Sequence, residues 1–274
     1  MLSKTKNNDL TYSKDHLKYI KSVQMNQLKV RLWQVGFLIG FLFMWEIAAN
    51  LNWIDKFFFS KPSDIGRLIY RLTRDGSLLM HTSISVYETI VAFVLGTIIG
   101  TIIAIILWWS EFVAKVMDPY LVVLNALPKI ALGPIIIIWA GAGTSGIIVT
   151  ALAISLVVTI LSTYSGFREV DSEKIKMLKT FGATKFQILQ KVIFPASIPN
   201  MVNTMKINLG MTWVGVIVGE FLVSKAGLGY LIVYGGQVFR LDIVMAGVIV
   251  LAVATFLMYQ LIVVIENRFI KWRQ

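Results

Sequence analysis

With 274 residues and 57% hydrophobic side chains, the chain carries more apolar surface than one soluble domain buries, in runs long enough to cross a bilayer. The net charge of +11 would suit nucleic acid in a soluble protein, but here the cations gather at the ends and turns of the apolar runs, where they orient membrane helices. Nucleic-acid binding is therefore rejected, and the absence of cysteine excludes disulfides, thiolate metal sites and a cysteine nucleophile.

Residues 1–31 are polar and basic, with Lys4, Lys6, Lys14, Lys18, Lys21, Lys29 and Arg31, and read as a retained cytoplasmic tail ahead of a membrane domain over 32–274. Val30 to Trp53 predicts the first span, with Glu46 placed near its outer interface. Ile65, Leu68, Ile69 and Leu72 have the spacing of a short interfacial helix. The second span is expected over Val86 to Trp109, where Gly96 and Gly100 are spaced for close helix packing. His16 and His81 stand alone in polar flanks, the setting of a solvated or locally bonded imidazole rather than a metal ligand.

Ser110 to Asp118 reads as a loop, and Pro119 as the start of a third span containing Asn125, Pro128, Lys129, Gly133 and Pro134. Two inner prolines remove ladder hydrogen bonds, so this span is expected to break near its middle. Lys129 lies about 15 Å along the helix from Pro119 at roughly 1.5 Å per residue, too deep to snorkel easily. Two readings stand for it: contact with an anionic substrate, or pairing with a carboxylate or carbonyls to hold the broken helix together. The turn Gly141 to Gly146 leads to a fourth span, Ile147 to Tyr164.

Residues 171–195 form a basic, amphipathic interruption. Glu173 to Phe181 has apolar residues at Ile175, Leu178 and Phe181, Asp171 or Ser172 can cap its start, and Gly182 is a left-handed stop. Thr184 can cap a second short helix running up to Pro195. Two helices meeting at an angle result, with an apolar stripe that suits either a groove on another protein or lipid headgroups. A fifth span, Ile198 to Val223, carries Lys206, Trp213 and Glu220 at intervals of seven residues on one face. Lys206 can snorkel, while Trp213 and Glu220 are candidates for lining a path, along with Asn125 and Lys129. Residues 226–239 read as a glycine-hinged external segment, and Ile243 to Ile265 as the last span, followed by a basic tail with Glu266, Arg268, Lys271 and Arg273. About six spans with both ends inside is the consistent count, an all-α membrane fold.

Gly182, followed after nine residues by Val192, Ile193, Phe194 and Pro195, resembles the cytoplasmic signature of ABC importer permeases, although Lys176, Met177 and Leu178 stand where that signature has Glu-Ala-Ala. The stretches FSKPSDI, DGSLLMHTSISVYETIVAFVLG, DPYLVVLNALPKIALGPIIIIWAGAG and GEFLVSKAGLGYLI extend the resemblance, to the nitrate, sulfonate and taurine branch, over roughly residues 59–268. It implies a type I importer permease in a bacterial cell membrane, with two copies forming the pathway, a pair of ABC ATPase subunits and an external or periplasmic substrate-binding protein. It also implies that Glu173, Leu178, Phe181, Gly182, Ala183, Thr184, Phe186 and Pro195 couple the permease to the ATPase. Cargo of this branch includes sulfonates, taurine, nitrate-like anions and vitamin-precursor pyrimidines or similar heterocycles; Lys129 inclines the reading towards an anion.

The sequence has no G-x-x-x-x-G-K-[ST], H-E-x-x-H or G-x-S-x-G run, so no catalytic residue, metal site or cofactor is assigned to it; ATP and Mg are expected on the partner. A secondary transporter would often show paired broken helices where only the third span is interrupted, and a membrane enzyme would need convergent titratable groups that are sparse here.

Overall fold

Residues 14–269 are described by a computed structural model in which, among the described residues, no strand occurs. Residues 1–13 and 270–274, and the side chain of His16, lie outside the described residues, and with them the expectations for Lys4, Lys6, Lys271 and Arg273.

The backbone divides into two units, Met1–Asp64 and Ile65–Gln274. In the first, α1 (Lys14–Asn50) is a single helix of 37 residues, because nothing from Lys14 to Val35 breaks a helix and the span's apolar run simply continues the basic segment. Its apolar side chains, Trp33, Phe37, Ile39 and Phe43 among them, are exposed, as suits a helix surrounded by lipid or another chain. The single-turn α2 (Lys56–Phe59) follows. Glu46 accepts hydrogen bonds from the backbone N–H of Ser63 at 3.0 Å and its hydroxyl at 2.9 Å, placing a carboxylate at the start of the next helix, α3 (Pro62–Arg74). The expected spacing of α3 is met, with Ile65 and Leu68 buried.

The second unit contains the long spans. Asp75, whose carboxyl is held below its usual range by the Ser77 hydroxyl and N–H, turns the chain into α4 (Ser77–Trp109), nine residues longer at its start than the sequence suggests. Residues 111–118 form helix rather than the expected loop: Ser110 accepts from the N–H of Val113 and caps α5 (Glu111–Ala126), which carries Pro119 inside it. A 3-10 turn (Lys129–Leu132) and α6 (Gly133–Ala140) complete this span, and the two halves are bent by 86° at Leu127 and Pro128, the predicted break. Then come α7 (Thr144–Arg168), α8 (Ser172–Thr180), α9 (Lys185–Ile188), α10 (Phe194–Val223), α11 (Leu228–Gln237) and α12 (Leu241–Phe269). Among the described residues, five helices are long and apolar enough to cross a membrane, or six if the bent pair is one span.

The second arm of the interruption is not a separate helix. A π segment (Leu189–Ile193) joins α9 to α10, making one continuous run from Lys185 to Val223. Pro195 removes a backbone donor at this junction, and the wider π turn accommodates the loss without a break.

The centre of the unit is α7, packed between α4 and α10. A Cβ on Gly100 of α4 would lie 2.7 Å from Cγ2 of Thr159 on α7, and one on Gly219 of α10 would lie 3.0 Å from the Ile147 backbone, while at Gly215 the Ala151 backbone leaves no room at all. Small residues thus set the helix spacing, as expected for Gly96 and Gly100 and equally for Gly215 and Gly219. The Lys206 ammonium pairs at 2.6 Å with Glu266 near the end of α12.

Candidate functional site

Two ends of the helix bundle are built differently. At one, Asp171 accepts from the N–H of Glu173 at 2.8 Å and starts α8. The helix ends in a Schellman turn: Gly182 N–H donates to Lys179 O, Ala183 N–H donates to Leu178 O, both at 3.0 Å, and Gly182 has φ +79°. Thr184 and Gln187 then form a reciprocal capping box for α9, with bonds of 2.8 and 3.3 Å. Every step of this elbow is thus fixed by a local bond.

The elbow divides its apolar residues between two directions. Ile175, Leu178 and Ala183 pack inward on Phe167, Ile188, Leu189 and Ile193, so Leu178 is part of the elbow's own small core. Phe181 is 82% exposed, Phe186 60% and Met177 56%. Glu173, Thr184 and Gly182 are also exposed, and Pro195 is half-buried where α10 begins. Sequence reading missed Met177 and Lys185. The Lys185 ammonium reaches back 2.5 Å to the carbonyl of Trp109, the last residue of α4, and lies over the rings of Trp108 and Trp109 at 5.8 and 5.7 Å. Beside it opens a cleft of about 530 Å³ lined in part by Glu111, Lys115, Arg168 and Lys185.

The four residues expected along a path occupy three settings. At the α5–α6 bend, the Lys129 ammonium donates to Asn125 O at 3.1 Å, across the break. Trp213 is buried with Leu209, Ala254 and Ile262, between α10 and α12. Glu220 is buried at the end of the bundle opposite the elbow. There its Oε1 accepts from the Ser85 hydroxyl and its Oε2 from the N–H of Gly229, each at 2.5 Å. Ser85 accepts in turn from Leu228 N–H at 2.7 Å, and Nδ1 of His81 accepts from Gly227 N–H at 3.0 Å. The first three N–H groups around the start of α11 are thereby satisfied by α4 and α10. His81 is consequently buried and bound to a distant loop, not solvated as its polar flank suggests. Glu88, also buried, is within hydrogen-bonding reach of Glu220 and of Thr144. His81, Ser85 and Glu88 stand at i, i+4 and i+7, so their shared face was legible as a polar stripe on an apolar span.

Comparison with known proteins agrees with this architecture. Residues 96–271 match the family described as binding-protein-dependent transport system inner membrane component. A Bacillus subtilis permease protein named for aliphatic sulfonate transport, SsuC, is 30% identical over 244 residues, covering 88% of this chain and 88% of its own. The taurine transport system permease protein TauC of Escherichia coli is 27% identical over 244 residues, covering 87% of this chain and 88% of its own. Among solved structures, an inward-facing MetNI methionine ABC transporter superposes with a TM-score of 0.59 at 18% identity, over 69% of this chain and 96% of that one, a likeness of fold. With its bent span, capped elbow and small-residue seam, the chain belongs to the family of inner-membrane components of binding-protein-dependent transport systems, the permeases of ABC importers.

Proposed function

We propose that this permease carries a small organic anion of the sulfonate or taurine kind, as a pair of identical copies driven by separate ATPase subunits and fed by an external binding protein. The observation that carries the coupling is the elbow: two caps and a left-handed glycine hold Met177, Phe181 and Phe186 outward, where they suit insertion into a groove. Closure of the ATPases pushes both elbows, and α10, continuous with the elbow's second arm, transmits the push directly to the membrane. For the cargo, the relatives named for aliphatic sulfonates and taurine agree with a lysine at the α5–α6 bend.

The contacts Lys185 to Trp109, Lys206 to Glu266 and Ser85 to Glu220 sort the helix ends into two sets. We place the elbow set, and both termini, in the cytoplasm, with the Glu220 set outside. The test is purification of the tagged protein from its native membrane, followed by uptake of radiolabelled taurine in vesicles. Recovery of a P-loop ATPase and strictly ATP-dependent uptake supports the reading. A protein isolated alone that drives uptake on an ion gradient without ATP overturns the ATPase coupling, and ATP-dependent transport that ignores sulfonates and taurine overturns the cargo.

A further inference from the structure

The end of the bundle opposite the elbow holds two carboxyl groups with no cation bonded to either among the described residues. Glu88 and Glu220 are each about 1% exposed and within hydrogen-bonding reach of one another. Two carboxylates cannot both stay ionised at that separation in a dry site, so the pair must hold a proton. The bonding pattern says which residue holds it. Both oxygens of Glu220 accept, one from Ser85 and one from Gly229, as an ionised carboxylate does. Glu88 has two groups in reach, the Thr144 hydroxyl and the Glu220 carboxyl, whose oxygens both already accept, and its Oε2 is left without any partner. A protonated Glu88 can donate to Glu220; an ionised one can only repel it.

We propose that Glu88 is a proton-binding site, and that its proton latches the α10–α11 connection shut by letting Glu220 sit ionised on the N-terminus of α11. Releasing that proton places two negative charges in one buried pocket, and the element free to move away is the connection over Ser224 to Gly227. It has a local Ser224–Ala226 bond, is tied to α4 through Gly227 and His81, and leads directly into Leu228 and Gly229, the residues bonded to Ser85 and Glu220. The other titratable groups near the latch are His81 on α4, the stacked Tyr230 and Tyr234 on α11, and Lys225, which is exposed. Asp242 at the start of α12 is taken up by Arg240, and α7 contributes Thr144. His81 and both tyrosines are retained in every variant below, so an alkaline transition that Glu88→Gln removes belongs to the carboxyl pair.

The chain's lack of cysteine makes a direct test possible. A single reporter, Leu228→Cys, replaces a side chain with no exposed surface beside the latch, and Gln237→Cys provides an exposed reference for the ordinary pH dependence of thiol labelling. Both are placed in the full-length protein in nanodiscs and labelled with a polar maleimide. The ratio of the two labelling rates is expected to rise about tenfold or more between about pH 7 and pH 10 as the pocket gains its second charge. Adding Glu88→Gln, which donates in place of the protonated acid, should flatten that rise. Adding Glu220→Gln, whose amide must turn a donor towards Ser85 or Gly229, should raise the ratio already at pH 7. An alkaline rise that persists unchanged with Glu88→Gln, or a ratio that stays flat in the unsubstituted background, overturns the proposal.

Discussion

The elbow and the latch at the opposite end are both built around a turn with a left-handed glycine, Gly182 in one and Gly227 in the other, yet they use it in contrary ways. At Gly182 nothing lies within 4 Å of where a Cβ would stand, and the turn is stabilised by its own caps. At Gly227 that space is filled by the Glu220 carboxylate, and the turn is held by side chains from α4 and α10. The first turn leaves its outer surface open; the second closes the chain on itself. A rigid, exposed part can receive force without loss of shape, whereas a buried, cross-linked part can move only by exchanging partners.

That contrast makes the same substitution produce two outcomes. Gly227→Val adds backbone strain of roughly 1–2 kcal/mol at φ +113° and also drives a side chain into Glu220, for a total of about 2–4 kcal/mol. The expected result, the largest here, is loss of folded protein, read as the yield of monodisperse material after mild heating. Gly182→Val adds only the strain, so the protein should purify normally while transport uncouples from ATP hydrolysis. Gly182→Asn, which tolerates the left-handed region, should restore coupling. Equal thermal sensitivity of the two valine variants, or wild-type uptake in Gly182→Val, would break the distinction.

The two ends also differed in how far they could be read from sequence. The elbow was legible because each of its devices is local: the Asp171 cap, the glycine stop and the Thr184 cap all act within five residues. What was not legible was the division of its apolar stripe, since whether Leu178 or Phe181 turns inward depends on Phe167 and Ile193 beneath it. Nor did Pro195 mark an end, because the π turn absorbed it. At the latch, Glu220 was noticed on its polar face, but the Ser85 hydroxyl that binds it is 135 residues earlier, a pairing that no periodicity reports. The partner of Lys206 is hidden for the same reason, Glu266 being on another helix. The bend at Pro128 was legible since proline acts on the backbone of its own turn.

A sharper version of the comparison separates surface from core within the elbow. Phe181→Ala with Phe186→Ala removes exposed side chains and should leave thermal stability within about 0.5 kcal/mol. Association with the ATPase, measured by titration of the purified subunits, should weaken by about 30-fold or more, the scale of about 2 kcal/mol expected when anchor residues are truncated. Leu178→Ala should do the reverse in kind, lowering stability because it removes packing against Ile188 and Leu189. Unchanged ATPase affinity in the double variant would mean that the outward face is covered by lipid rather than by a partner.

The smallest effect is expected at Lys185, a long side chain that ties the elbow back to a membrane helix through the Trp109 carbonyl. Lys185→Met keeps much of the side chain's length but removes the charged donor and its attraction to the Trp108 and Trp109 rings. Because the residue is exposed, the loss should be about 1 kcal/mol or less and should leave the caps of α8 and α9 intact. Its signature is therefore dynamic: amide exchange over residues 172–184 should quicken a few-fold, without change at Gly227–Gly229. Lys185→Arg retains the charge over the rings and should fall between the two, its planar fork matching a single carbonyl less well. Exchange that quickened equally at both ends would mean that Lys185 stabilises the whole bundle, and that the elbow's rigidity is not its own.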